Sequence, residues 1–344
     1  MKKLTLLLII ASLSSCTNLI LEEDEPNTQS NNFEIFWNDF DKHYSLFTIR
    51  DINWGELYVN YRPQVNNNIS DEELWLVLSN LIEHLDDSHT VLYDGNGNRY
   101  RSGYALNEQS VNEISEGLIV SKYLDFITEV PSEDHLSFGK VKNKDIGYIY
   151  LGTMDGRNPS VIDDVIDELK NYNAIILDLR QNTGGDDRYS ARIEKAFSDG
   201  EHFIYTVQTR NGLNYDDFDE KKKYRTYSNS ENAYLKPVIV LTDRKTISAG
   251  EIFLMHMKSF EHVVQIGDTT AGDFSTVSNM RFLPNAWHYQ YSIQKFLLPN
   301  GESLDGIGHV PDVYVKNTQA DITASNDKVL EKAIQYLFDE FGIE

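Results

Sequence analysis

The chain runs to 344 residues and carries 54 acidic against 31 basic side chains, a formal net charge of -23. That sign argues against nucleic acid as a partner, because gripping a polyphosphate backbone needs cationic surface. A hydrophobic share of 40% with 25% charged residues fits a globular protein with one large core and a smaller appendage, not a disordered or fibrous chain.

At the N-terminus, Met1-Lys2-Lys3 is a short basic start, and Leu4 to Leu13 is an apolar run too short to span a bilayer. Leu13-Ser14-Ser15-Cys16 then resembles a bacterial lipobox, in which the cysteine is acylated and becomes the mature N-terminus. A cleaved secretory signal with a chance cysteine is the plainer alternative. No other cysteine exists, so neither disulfides nor a thiol nucleophile are available. Residues 1–15 are thus expected to be a lipoprotein signal and 16–31, polar and acidic around Glu22 to Glu25, a flexible tether. The expectation is an exported protein of the bacterial cell envelope. Lipid at Cys16 would tether it to a membrane, the outer membrane foremost, with the folded part in water.

Residues 32–89 read as a helical bundle of about three helices. Phe33, Phe36, Phe40 and Tyr44 recur at helical spacing, as do Leu74, Leu76, Leu78, Leu81 and Leu85, and Ser70-Asp-Glu-Glu73 is a helix start. Residues 90–140 are turn-rich, with Asp94-Gly-Asn-Gly97 marking a hairpin, and are expected to form an irregular β-rich connection. From 141 to 344 strands alternate with helices. Ile146–Leu151, Ala174–Leu179, His202–Val207, Pro237–Thr242 and Val263–Gly267 read as strands. Ser160–Tyr172, Arg188–Ser198, the run after Ser248 and a terminal Ser325–Phe341 read as helices. Such alternation implies an α/β core with helices on the sheet faces. No internal repeat or transmembrane helix is visible.

Four segments carry polar groups that the apolar pattern does not need. The first is Thr246-Ile-Ser248-Ala-Gly-Glu251, between a buried strand and an apolar helix. A serine on such a turn is exposed at the sheet edge, near the positive end of the helix dipole, which suits a nucleophile. Ser248 and Glu251 also have the spacing of a capping box, which needs no chemistry. The second is Asp178-Leu-Arg-Gln-Asn-Thr-Gly184-Gly185, whose glycines permit amides to point at a ligand oxygen, or form an ordinary turn. Leu85-Asp-Asp-Ser-His89-Thr is the third, and Asn300-Gly-Glu302-Ser-Leu-Asp305-Gly-Ile-Gly-His-Val-Pro-Asp312 the fourth.

In this order the four motifs resemble those of the tail-specific (C-terminal-processing) serine peptidases. The likeness is to the branch related to the tricorn protease core, in a form without a PDZ domain. The stretch between His89 and the core is too short for a PDZ domain. The serine–lysine branch carries a lysine further along the chain, at a place that here falls near Asp273. The resemblance implies a ClpP/crotonase-like spiral β-sheet core with flanking helices, and an N-terminal helical bundle bringing His89 over it. It implies Ser248 as nucleophile, His89 as general base and Asp305 as the carboxylate that orients it, with Glu302 in reserve. The oxyanion hole would be the amide of Ala249 with that of Gly184 or Gly185. No cofactor is implied, and the histidines show no metal-ligand spacing. The expected activity is hydrolysis of a peptide or protein substrate through an acyl-enzyme. A non-catalytic module binding peptides or hydrophobic ligands on the same fold, and a small-ester hydrolase, are the alternatives. The triad reading requires the Ser248 hydroxyl within hydrogen-bond reach of a His89 ring nitrogen.

Overall fold

The computed structural model describes residues 25–103, 115–131, 133, 135–226 and 232–344. The expected signal, Cys16 and most of the expected tether lie outside the described residues. Among the described residues no helix is long and apolar enough to cross a membrane.

The first helix among the described residues, α1 (Gln29–His43), starts inside the stretch expected to be tether. Thr28 fixes that start, its side chain accepting from the Asn31 amide at 3.2 Å. Phe33, Phe36 and Phe40 repeat along one face of α1 and are fully buried. Helix α2 (Trp54–Tyr61) is capped by Asn53, and α3 (Asp71–Glu83) by a complete capping box between Ser70 and Glu73. In α3 Leu74, Leu78 and Leu81 are buried, whereas Leu76 is off the face and exposed. Two short strands follow, β1 (Val91–Tyr93) and β2 (Arg99–Arg101), joined by the expected hairpin.

The core begins with the antiparallel β3 (Leu124–Glu129), β4 (Leu136–Val141) and β5 (Ile146–Leu151). It continues through α4 (Val161–Leu169), β6 (Ala174–Asp178), α5 (Asp187–Glu194), β7 (Phe203–Thr209) and β8 (Lys222–Arg225). Then come β9 (Val238–Thr242), α6 (Ala249–Met257), β10 (Val263–Gly267), β11 (Arg281–Phe282), β12 (His288–Gln290) and β13 (Gln294–Leu297). The chain closes with β14 (Val313–Tyr314) and α7 (Lys328–Phe341).

A seven-stranded sheet of order β14-β10-β9-β6-β5-β4-β3 organises the molecule, parallel from β14 to β5. The central strands β6 and β9 are buried at every position because both faces are covered, and only their last residues, Asp178 and Thr242, are polar. In β6, Ile175 and Leu177 face the cluster containing α4, α5 and α6, while Ala174 and Ile176 face the cluster containing α7. Strand β9 splits the same way, Val238 and Val240 against Ile239 and Leu241. The period of two along each strand therefore assigns its side chains to two separate cores.

Strand β7, read from sequence as part of the α/β run, instead joins β13 and β8 in a separate three-stranded sheet. The N-terminal helices pack on one another, Trp54 stacking on Trp37 and Phe40. Their aromatic cluster is completed by Leu283, Trp287, Tyr289 and Tyr291, from the β11–β12 hairpin and just beyond it. That hairpin pairs with β1 and β2 in a four-stranded sheet. Each such buried aromatic contributes roughly 2 kcal/mol through area removed from water, so the hairpin anchors the block firmly to the core.

Candidate active site

The parallel strands β6 and β9 end side by side, and each releases a tight turn into a helix. After β9 the turn ends at Ser248, which adopts φ 58° and ψ -125°. A non-glycine residue there is strained by about 1–3 kcal/mol, so the surroundings must over-determine it. They do so from both sides. The Ile247 amide donates to Asn182 O at 3.1 Å, and Thr246 Oγ1 donates to Leu179 O at 2.9 Å. On the helix side, the Ser248 amide donates to Glu251 Oε2 at 3.2 Å.

Asn182 is the fully buried joint between the two turns. Its Nδ2 donates to Leu151 O at 2.7 Å and its Oδ1 accepts from the Gly184 amide at 3.0 Å. Gly184 has φ 77°, and a Cβ there would lie 2.7 Å from Ser248 Cβ. Gly250 serves the same contact from the other side, since a Cβ on it would sit 2.5 Å from Asn182 Oδ1.

Ser248 Oγ faces His89, with 3.0 Å between Oγ and Nε2. The hydroxyl is therefore directed at an imidazole, while Glu251 supplies the other half of the capping box. His89 follows α3 on a turn whose Asp87 accepts from the His89 amide at 3.0 Å and from Thr90 Oγ1 at 3.1 Å. The other ring nitrogen, Nδ1, is buried without a hydrogen-bond partner. The Asp87 carboxylate lies 3.9 Å from it, an ionic contact too long for a hydrogen bond.

Asp305, expected to orient His89, does not touch it. Its Oδ1 accepts from Arg50 Nε at 2.6 Å and its Oδ2 from the Phe274 amide at 2.9 Å. The reason is that Arg50, arriving from the N-terminal block, draws the carboxylate to itself. Burial pushes the Asp305 carboxyl up to about 7, against the pull of the guanidinium. Glu302 is exposed and accepts from Asn300 Nδ2 at 2.8 Å, which closes its own turn and leaves it away from the histidine.

Of the three expected oxyanion amides, that of Gly184 donates to Asn182 Oδ1, Ala249 directly follows the serine, and Gly185 lies against the Met154 backbone. Behind the serine, Glu251 is fully buried and burial pushes it up to about 8. The opposing pull comes from Thr270 Oγ1 and the amides of Gly272 and Asp273, which donate to it at 2.5, 2.8 and 2.9 Å. Asp273 in turn accepts from Ser88 Oγ and from Arg50 Nη2.

Sequence reasoning missed Arg50, Asn182 and the partnership of Ser88 with Asp273. Asn182 and Ser88 stood inside motifs already singled out, whereas Arg50 lay in an unremarkable stretch with no local signal. Among the described residues no group of three or more His, Cys, Asp or Glu is arranged to hold a metal ion. A cavity of about 410 Å³ opens at the strand ends on the α7 side, lined by Tyr150, Arg180, Asp243 and Arg244 among others. Neither Ser248 nor His89 lines it.

Residues 145–315 match the model of peptidase family S41, and residues 26–83 match the tricorn protease C1 domain. The carboxy-terminal processing protease CtpB of Bacillus subtilis (strain 168) is 28% identical over 191 residues, 55% of this chain and 38% of that protein. CtpA of the same organism is 27% identical over 216 residues, 58% of this chain and 44% of that protein. The chain spans less than half the length of these curated relatives. Among solved structures, a protein from Parabacteroides merdae ATCC 43184 described as a candidate peptidase superposes with a TM-score of 0.82 at 26% identity. The match covers 91% of this chain and 97% of that one. The tricorn protease superposes with a TM-score of 0.51 at 15% identity over 91% of this chain and 37% of its own, a likeness of fold.

Proposed function

Because this chain belongs to the tail-specific (C-terminal-processing) family of serine-type peptidases, we propose that it is a lipid-anchored serine peptidase of the cell envelope. Ser248 is the nucleophile and His89 the general base. The observation that carries this reading is the 3.0 Å approach of Ser248 Oγ to His89 Nε2 at a strained strand-to-helix turn.

A serine hydroxyl is a poor nucleophile until a base takes its proton. In this geometry Oγ–H donates to Nε2, so Nδ1 carries the ring proton. As Oγ attacks the carbonyl carbon of the scissile peptide, its proton passes to Nε2. The carbonyl oxygen becomes an oxyanion, received by the amides of Gly185 and Ala249 with support from the N-terminus of α6. His89 then protonates the departing amine, leaving an ester on Ser248. Water, deprotonated by His89, cleaves that ester and restores the serine. Asp87 takes over the part expected of Asp305: at 3.9 Å it stabilises the imidazolium by charge. Apo contacts of this kind tighten when substrate excludes water.

Residues 32–89 act as the unit that carries His89, 90–140 as the connection, and 141–344 as the catalytic core. Export and anchoring at Cys16 rest on the lipobox-like N-terminus. Cys16→Ser is expected to move the protein from the membrane to the soluble fraction.

Labelling with a fluorophosphonate probe tests the central claim. Wild type should label and cleave peptides, while Ser248→Ala and His89→Ala should do neither. A folded wild type that neither labels nor cleaves would overturn the reading in favour of a binding module. Turnover of esters with none of peptides would replace the peptidase by an esterase.

A further inference from the structure

We propose that Arg50 is a positioning residue for this reaction: from the N-terminal block it fixes the turn carrying His89 against the loop that backs Ser248. The inference rests on the serine-peptidase reading of the site.

The Arg50 side chain is 6% exposed, and all five of its N–H groups have acceptors. Nε donates to Asp305 Oδ1 at 2.6 Å. Nη1 donates to Leu85 O at 3.3 Å and to Asp86 O. Nη2 donates to Gly272 O at 3.2 Å and to Asp273 Oδ1 at 2.9 Å. These acceptors belong to three segments that lie far apart in the sequence.

Leu85 and Asp86 form the turn between α3 and His89, and Asp86 adopts φ 47°. A non-glycine turn of that kind persists only where neighbours hold it, and Arg50 holds its carbonyl. Gly272 and Asp273 sit on the Glu251 carboxylate, which also accepts from the Ser248 amide. A continuous set of bonds thus runs from Ser248 through Glu251, Asp273 and Arg50 to Asp86. Ser88, next to His89, donates to Asp273 and adds a second link.

Arg50 also brings positive charge to a cluster containing Asp86, Asp87, Asp273, Asp305 and Glu251. Burial opposes its charge, but Asp305, Tyr44, Asp87 and Asp273 outweigh that and hold the guanidinium well above its ordinary value. Its role needs a planar fork as well as a charge. A lysine ammonium is a point donor and cannot serve two backbone carbonyls of one turn, a third across the gap and two carboxylates at once.

The test uses the full chain in detergent, comparing wild type, Arg50→Lys and Arg50→Gln. Arg50→Gln removes a buried cation from acids and can fail to fold, so Arg50→Lys, which keeps the charge, is the deciding variant. A loosened His89 turn should lower kcat and the fluorophosphonate labelling rate by about tenfold in Arg50→Lys, with KM within about twofold. In folded Arg50→Gln the loss should reach about 100-fold. The acid limb of its pH–rate profile should also move to higher pH, because removing a cation favours protonation of the groups around it. That limb should stay in place in Arg50→Lys. Wild-type labelling and kcat in Arg50→Lys, or a loss confined to KM, would overturn the proposal while leaving the Ser248 reading intact. If wild type itself neither labels nor cleaves, the reading of Ser248 falls and the role of Arg50 falls with it.

Discussion

Replacing Ser248 by glycine should give a protein more stable than the Ser248→Ala variant, with both inactive. The backbone at Ser248 has φ 58° and ψ -125°, a conformation that glycine adopts freely and a residue with a Cβ does not. The strain is about 1–3 kcal/mol. Glycine gives back about 0.4–1 kcal/mol by making the unfolded chain more flexible. Ser248→Ala is the proper reference, since both variants lose the Oγ–His89 bond and only alanine keeps the Cβ. The difference between them isolates backbone strain, and the balance favours glycine by about 1 kcal/mol. Chemical denaturation of both variants, followed by circular dichroism, measures it as a shift in midpoint at constant slope. Equal stability, or glycine below alanine, would mean that the turn is unstrained and the argument from Ser248 geometry mistaken.

The joint behind the serine should be equally sensitive. In Gly250→Ala the new Cβ meets Asn182 Oδ1, displacing the acceptor of the Gly184 amide. Such overpacking costs about 1–3 kcal/mol, and fluorophosphonate labelling should fall at least tenfold. Asp305→Asn keeps an acceptor for Arg50 Nε but removes its charge, and should destabilise by about 2 kcal/mol in urea melts. Glu302→Gln, at an exposed turn, should stay within about 0.5 kcal/mol of wild type. His309 reports through pH. It is buried and donates from Nε2 to Glu251 O at 3.0 Å, and burial, helped by Lys258, pushes its imidazole down to about 3. Below its ordinary value of 6.5 the unfolded chain takes up a proton that the folded chain refuses, so stability falls as pH drops from 6.5 towards 3. The slope approaches about 1.4 kcal/mol per pH unit, and His309→Asn should flatten that contribution in melts between pH 6.5 and 4.5.

What the sequence by itself determined is whatever local pattern encodes. The largely apolar run at 146–151 and the continuous apolar runs at 174–177 and 238–241 announce strands buried on both faces, because such strands need no alternating polar positions. The Thr246–Glu251 turn announces a serine at a helix start, and Gly184-Gly185 marks a turn free to take positive φ, which Gly184 does at 77°. The short strands β11, β12 and β13 escaped notice, since mixed runs of two to four residues carry no clear period. So did the dependence of the N-terminal aromatic cluster on Trp287, Tyr289 and Tyr291. Only the tertiary structure decided which charges pair. Arg50 and Asp305 are 255 residues apart, and no spacing rule links them. A carboxylate in a buried cluster goes to the donor that approaches it, and that approach is set by how the N-terminal block docks on the sheet. The sequence could therefore name a serine, a histidine and an acid, but only the fold could assign that acid to Arg50 and leave Asp87 nearest the imidazole.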